Sequence, residues 1–248
     1  MKAEQQLKFL EHWLHQRVKE SGCSGVVLGL SGGVDSAVAA AIAVRALPGH
    51  CLGIIMPCYS EEQDVKDAHA VAATLGMKQQ VVDLKAPFDA MSRLLANTMS
   101  TDGEQQRLLH ANIKARLRMI TLYYYAQARR CLVLGTSNKS EITVGYSTKY
   151  GDHGVDLQLL GDLTKAEVFA LARYLELPSS VIDKAPSGGL WPGQTDEKEM
   201  GISYAALDHY LQTGTGERKI VERIQHMNRS SEHKRRMPPI AILPSNAH

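Results

Sequence analysis

The apolar run Gly25–Leu30 (GVVLGL) is broken by the polar turn SGGVDS and followed at once by an alanine-rich stretch, Val34–Leu47. A short all-apolar run bounded by glycine turns suits a strand buried on both faces, which is the habit of parallel sheets. The stretch after it reads as a helix. The same alternation then recurs: Cys51–Met56 as a second buried strand, Glu61–Leu75 as a helix, and Gln79–Leu84 as a third strand. Residues 104–130 read as a long helix closing on Arg129 and Arg130, basic residues that suit a helix C-terminus. Cys131–Thr136 follows as a fourth buried strand. Upstream, residues 5–20 place Leu7, Leu10, Leu14 and Val18 on one helical face. Strands alternating with helices predict an α/β fold with a doubly wound, mainly parallel sheet flanked by helices.

After Thr136 the texture changes. Residues 145–163 are rich in Gly, Asp and Tyr, and 184–202 carry Pro, Gly and Ser without a period. Thr164–Leu175 between them reads as a helix stopping before Pro178, and helices over 203–212 and 217–228 follow. No repeat or low-complexity tract interrupts the chain, so its 248 residues are expected to form one domain, 1–248. The stretch 184–202 is too long for an inert connection and is a candidate mobile lid. With 44% hydrophobic and 22% charged residues, the composition excludes disorder. A net charge of +2 gives no case for nucleic-acid binding. No run approaches the roughly 20 apolar residues of a bilayer span. The four cysteines include no CxxC pair, so structural zinc and a disulfide framework are not expected, and a cytoplasmic location is.

The sharpest local signal is Gly29–Ala37, GLSGGVDSA, between strand and helix. Its glycines let the backbone approach a ligand closely, and amides at a helix start favour an anion. Ser31 and Ser36 can add hydroxyl donors, and Asp35 can hold a divalent cation against phosphates. No GK[ST] follows, so this is not a Walker A loop. A tight Gly-Gly turn is the plainer alternative. The pattern SGGxDS resembles the pyrophosphate loop of the N-type ATP pyrophosphatases, which transfer AMP to an oxygen.

Six further segments occur in order: NIKARLRM (112–119), VLGTSNKSE (133–141), GYSTKYGDHGVD (145–156), LTKAEV (163–168), PSGGLWPGQTDEKEMGISY (186–204) and SEHKRRMPP (231–239). Together they resemble the ammonia-dependent NAD synthetase family over about Phe9 to Pro239. The resemblance implies an adenine nucleotide alpha hydrolase-like, Rossmann-like fold. It also implies a ligase that amidates nicotinic acid adenine dinucleotide (deamido-NAD) with ammonia at the expense of ATP. The ATP positions implied are Gly29, Leu30, Ser31, Gly32, Gly33, Val34, Asp35, Ser36, Thr136, Lys165 and Ser187. Arg116, Lys149, Asp156, His233 and Lys234 match positions that contact the dinucleotide. Asp35 and Glu141 match Mg²⁺ ligands, and Asp152 is the candidate for positioning ammonia. Taken singly, Arg116 and Lys165 would be solvated helix-face residues and His233 a surface histidine; the motif context argues otherwise. Leu159, Ala166, His153 and Ser187 depart from the usual Pro, Thr, small residue and Thr, and none removes a charge the chemistry needs.

A carboxylate is a poor acyl donor because oxide would have to leave, and adenylation makes AMP the leaving group instead. Asp35, Lys165 and Asp152 are the expected catalytic residues, with the 184–202 lid excluding water from the adenylate. Glutamine-using relatives carry an extra amidase domain for which this length has no space, so ammonia is the expected donor. A tRNA-modifying or GMP-forming pyrophosphatase is the enzymatic alternative, and a catalytically dead nucleotide-binding module the other; Asp35, Glu141 and Lys165 all being present argues against the latter. The resemblance also implies a homodimer, with Trp13 of the first helix and the helix 117–128 as candidate interface elements. From Glu217 to His248, seven Lys and Arg face three Glu. This basic end is read as part of the dinucleotide site rather than as an RNA surface.

Overall fold

The computed structural model describes residues 2–96, 103–191 and 193–243. Pro192 of the expected lid and the end of the chain, 244–248, lie outside them. The first half winds α1 (Ala3–Ser21), β1 (Val26–Gly29), α2 (Val34–Ala46), β2 (Cys51–Ile55), α3 (Glu62–Thr74), β3 (Lys78–Val81), α4 (Lys85–Ala96) and α5 (Gly103–Arg129). The second winds β4 (Leu132–Gly135), α6 (Lys139–Val144), β5 (Leu157–Gln158), α7 (Lys165–Tyr174), α8 (Ser179–Ile182), α9 (Asp196–Met200), α10 (Tyr204–Thr213), α11 (Arg218–Ser230) and α12 (Glu232–Arg235). The strands form one sheet in the order β3-β2-β1-β4-β5, and every pair is parallel. The expected doubly wound sheet is present. Successive strands run outward from β1 in one direction and then, from β4, in the other. The order reverses between β1 and β4, and in such sheets ligands bind at the carboxyl ends of the strands at that reversal.

The four strands expected from sequence are all found, three of them within a residue of their runs and β3 ending at Val81, three residues before Leu84. β3 differs in character: all four of its residues are exposed, as suits an edge strand. β5, two residues long, falls in the irregular 145–163 stretch, and α9 falls inside 184–202; neither was expected. α4 is a further addition, an amphipathic helix whose Phe88 is its buried residue.

Helix α2 is the centre of the packing. Its run Ala37–Ala43 is fully buried, with α1 and α7 on one side and the sheet on the other. Alanine lets three layers approach closely where a larger side chain would hold them apart. The α1 stripe Leu7, Leu10, Leu14 and Val18 packs into this cluster, and Trp13 packs against it too. Trp13 is half-buried rather than fully exposed. Helix α5 covers the opposite face through Leu122 and Ala126, yet leaves Ile120 and Tyr124 59% and 70% exposed. Among the described residues no helix is long and apolar enough to cross a membrane.

Ala40 has no exposed surface, so Ala40→Leu must force α1 or α7 away from α2. Overpacking of this kind costs about 1–3 kcal/mol. The urea midpoint should fall accordingly with the m-value unchanged.

Candidate active site

Three helices that begin at the carboxyl end of the sheet bring the charged residues together. Asp35 lies in the first turn of α2, Glu141 in the first turn of α6, and Lys165 opens α7. A helix N-terminus favours the first two and disfavours the third, because the dipole there is positive. The lysine is held by its partners. Its Nζ donates to Asp35 Oδ2 at 2.6 Å and to Glu141 Oε1 at 3.1 Å, with the side chain 3% exposed. Burial alone would lower the Lys165 pKa, but the two carboxylates outweigh it and raise it. Burial pushes the Glu141 carboxyl up to about 7, against the pull of Lys165.

Local sequence explains how these side chains are aimed. Asn138 caps α6, accepting from Glu141 N, while Glu141 Oε2 accepts from Asn138 N, a reciprocal capping box. The Asn138 amide nitrogen then donates to Asp35 Oδ1 at 2.8 Å. Thr164 and Glu167 form the equivalent box on α7. Behind them, buried Asp208 accepts from the Ser140 hydroxyl and from Ala166 N, tying α6, α7 and α10 together. Tyr204 donates its hydroxyl to Glu141 at 3.2 Å and to Asp196 at 2.9 Å. Asn138, Asp208, Tyr204 and Asp196 were not singled out from sequence. The Asn138–Glu141 spacing was the legible signal, as a helix start.

The glycine turn between β1 and α2, the candidate phosphate loop, is tightly built. Gly32 has φ +78°, and a Cβ there would lie 2.2 Å from the Asp64 carbonyl oxygen, so only glycine fits. Ser31 and Ser36 bond each other at 3.0 Å, and Ser36 also donates to Gly33 O. They fix the loop as well as offering hydroxyls. Leu30, Ser31, Gly33, Val34, Asp35 and Ser36 line a cavity of about 550 Å³, together with Gly29, Thr136, Glu141, Asp152, Lys165, Ser187 and Lys234. Gly32, packed against the Asp64 backbone, does not line it.

Segment 184–202 forms a wall of this cavity. Lys184 pairs with Asp64 and, at 3.1 Å, with Asp67, Lys114 donates to Leu190 O at 2.6 Å, and Gln194 donates to Glu199. The two acids of α3 raise the Lys184 pKa although burial opposes them. This latch was also missed, because its partners are more than a hundred positions apart.

The dinucleotide residues divide. Lys234 lies in the cavity wall, donating to the carbonyls of Gly145 and Ser147 at 2.7 and 2.6 Å. Arg116, Lys149, Asp156 and His233 do not line it. Arg116 donates to Lys149 O at 3.4 Å, so those two are neighbours. Asp156 accepts from Tyr123 and from Val133 N and so braces β4. Asp152 accepts from Thr148 N at 2.8 Å and faces the cavity, with burial raising its pKa. The basic end is used internally. Arg235 donates to Ile142 and Thr143 carbonyls at the end of α6, and Arg236 pairs with Glu232.

The donor set suits Mg²⁺. Asp35 and Glu141 present hard carboxylate oxygens, and buried Asp196 Oδ1 beside them has no hydrogen-bond partner among the described residues. No group of three or more His, Cys, Asp or Glu placed to hold a metal ion occurs among the described residues.

Asn138 serves both a helix cap and Asp35, and two substitutions separate the roles. Asn138→Ala should cost about 1 kcal/mol of stability as a lost cap. It should also cost about 10–100-fold in kcat/KM, the usual effect of removing a partner behind a ligand. Asn138→Ser should keep the cap and most of the melting temperature while losing activity to a similar degree.

The NAD synthase family model matches residues 6–238. The NH(3)-dependent NAD(+) synthetase of Syntrophomonas wolfei is 50% identical over 98% of this chain and 98% of its own. Among solved structures, an NMN synthetase from Francisella tularensis superposes with a TM-score of 0.89 at 37% identity, covering 99% of both chains. An NH3-dependent NAD synthetase from Campylobacter jejuni, in complex with the nitrate ion, gives 0.80 at 30% identity, covering 98% of this chain and 100% of that one. With the loop, the buried Lys165 centre and the cavity in place along the matched residues, the chain belongs to the NAD synthase family.

Proposed function

We propose that this chain amidates deamido-NAD to NAD, using ammonia and ATP and releasing AMP and pyrophosphate through an adenylated intermediate. It is a carbon–nitrogen ligase. The observation that carries the reading is Lys165 held between Asp35 and Glu141 at the mouth of the phosphate loop, in one cavity with Asp152 and Lys234.

The loop amides and the start of α2 receive the ATP phosphates, with Thr136 and Ser187 on the walls. Lys165 neutralises charge that develops as pyrophosphate leaves. Asp35 and Glu141 would hold Mg²⁺, which supplies further neutralisation of the polyphosphate. The nicotinate carboxylate attacks the α-phosphate, and ammonia then attacks the acyl carbon of the adenylate. Asp152 orients ammonia and takes its proton, a role that its raised pKa and its place in the cavity support. Segment 184–202 keeps water from the adenylate, its Lys184 latch to α3 setting the closed position. Arg116, Lys149, Asp156 and His233 hold the far half of the dinucleotide at the cavity's margin, beyond the reacting end. The chain works as one domain in the cytoplasm and as a homodimer; Ile120 and Tyr124 on the outer face of α5 support a contact there.

A second substrate, nicotinic acid mononucleotide, is favoured by one observation. The Francisella NMN synthetase fits the whole chain at a TM-score of 0.89, and the residues assigned to the far half of the dinucleotide lie outside the cavity.

Purified protein with ATP, Mg²⁺ and ammonium should form NAD from deamido-NAD, with pyrophosphate exchange into ATP that needs the acid substrate. Exchange without that substrate, or none with it, would sink the reading, and a larger kcat/KM for the mononucleotide would make it the preferred substrate. Asp35→Asn should fold and lose most turnover even at saturating ATP and Mg²⁺. A monomeric mass in solution at micromolar concentration, with full activity, would refute the dimer.

A further inference from the structure

We propose that Arg118 selects an acid over an amide at the reacting end of the substrate, its guanidinium gripping the nicotinate carboxylate. The proposal rests on the amidation reading above. Four cations stand in the cavity wall, and three of them are spoken for. Lys165 is paired with Asp35 and Glu141, Lys184 with Asp64 and Asp67, and Lys234 is bonded to two carbonyls. Arg118, half-buried on α5, makes one hydrogen bond among the described residues, from Nε to Met56 O at 3.4 Å, and no ion pair. Its two terminal amino groups have no protein acceptor there.

A half-buried guanidinium that faces a cavity without a counter-charge is better satisfied when an anionic ligand supplies one. Burial lowers the Arg118 pKa; Cys58, Asp152 and Asp64 oppose that effect. Arg118 and Asp152 line the same cavity. The ATP phosphates have their own partners in the loop and Lys165. The planar fork of Arg118 matches a carboxylate, which accepts two parallel N–H bonds.

The grip serves both steps. A carboxylate oxygen attacks the α-phosphorus while the bond to the β-phosphate oxygen breaks and pyrophosphate leaves. The oxygen that remains a carbonyl stays on the guanidinium. When ammonia adds to the acyl carbon, negative charge develops on that oxygen and Arg118 neutralises it. The C–O bond to AMP then breaks, AMP leaves with the electron pair, and the proton lost by nitrogen passes to Asp152. The amide product has lost the charge that Arg118 reads, which favours its release.

The test compares binding of deamido-NAD and NAD to the full chain by calorimetry, and measures KM for ATP and for deamido-NAD. The wild type should bind the acid about tenfold or more tightly than the amide, as a charged hydrogen bond implies. Arg118→Met should bring that ratio close to one and raise the KM for deamido-NAD by about the same factor, leaving the KM for ATP unchanged. Arg118→Lys, which keeps the charge without the fork, should fall between them; it carries the test if the methionine variant does not fold. An unchanged acid-to-amide ratio in the folded variants would overturn the proposal, as would a rise in the KM for ATP alone. Failure of the wild type to amidate deamido-NAD would instead refute the functional reading, and the acid-to-amide binding ratio would still decide the role of Arg118.

Discussion

The buried Lys165 ammonium is the interaction on which the site depends. It stands at the start of α7, where the helix dipole repels it, and it is excluded from water. Two carboxylates from two other helix starts compensate. Without the ammonium, Asp35 and Glu141 would face each other across a dry space with Asp196 nearby, and the cost of unpaired buried charge would fall on all three helices. The site and the junction of α2, α6 and α7 are thus one construction. Local preference is violated at Lys165, which is where a functional site is to be expected.

A second layer holds this centre in register. Asp208 has no access to the cavity, yet its carboxylate accepts from Ser140 on α6 and from the first turn of α7. The caps therefore do more than end helices: the same side chains that satisfy orphan amides set the separation of Glu141 from Lys165. Stiffness at this point matters because electrostatic stabilisation is effective only when the charges need not rearrange during reaction.

Much of this was legible in the sequence because parallel strands buried on two faces leave apolar runs, and because the turn after β1 is glycine-rich. β5 was not legible, since two residues carry no period. α9 was hidden by a composition that resembles a loop. At the site, Asp35, Glu141 and Lys165 could be read from motifs, and the structure brings them within bonding distance. Their supporting bonds could not be read. Asn138 meets Asp35 across 103 positions and Lys184 meets Asp67 across 117, and no local pattern encodes such pairings. Motifs named Arg116, Lys149, Asp156 and His233 without saying that they stand outside the cavity. Trp13 is more covered than its place off the α1 stripe implied, because the neighbouring helices also reach that side.

The use of Arg235 as a clamp on α6 has a consequence for how the molecule is made. The carbonyl of Ile142 near the end of α6 finds its guanidinium 93 residues later in the chain. Lys234, one place earlier, does the same for the turn after that helix. The helix that carries Glu141 is therefore clamped only after the chain up to Arg235 has left the ribosome. A nascent chain can assemble the sheet and the glycine loop early, but it cannot finish the surroundings of Glu141 until α12 emerges.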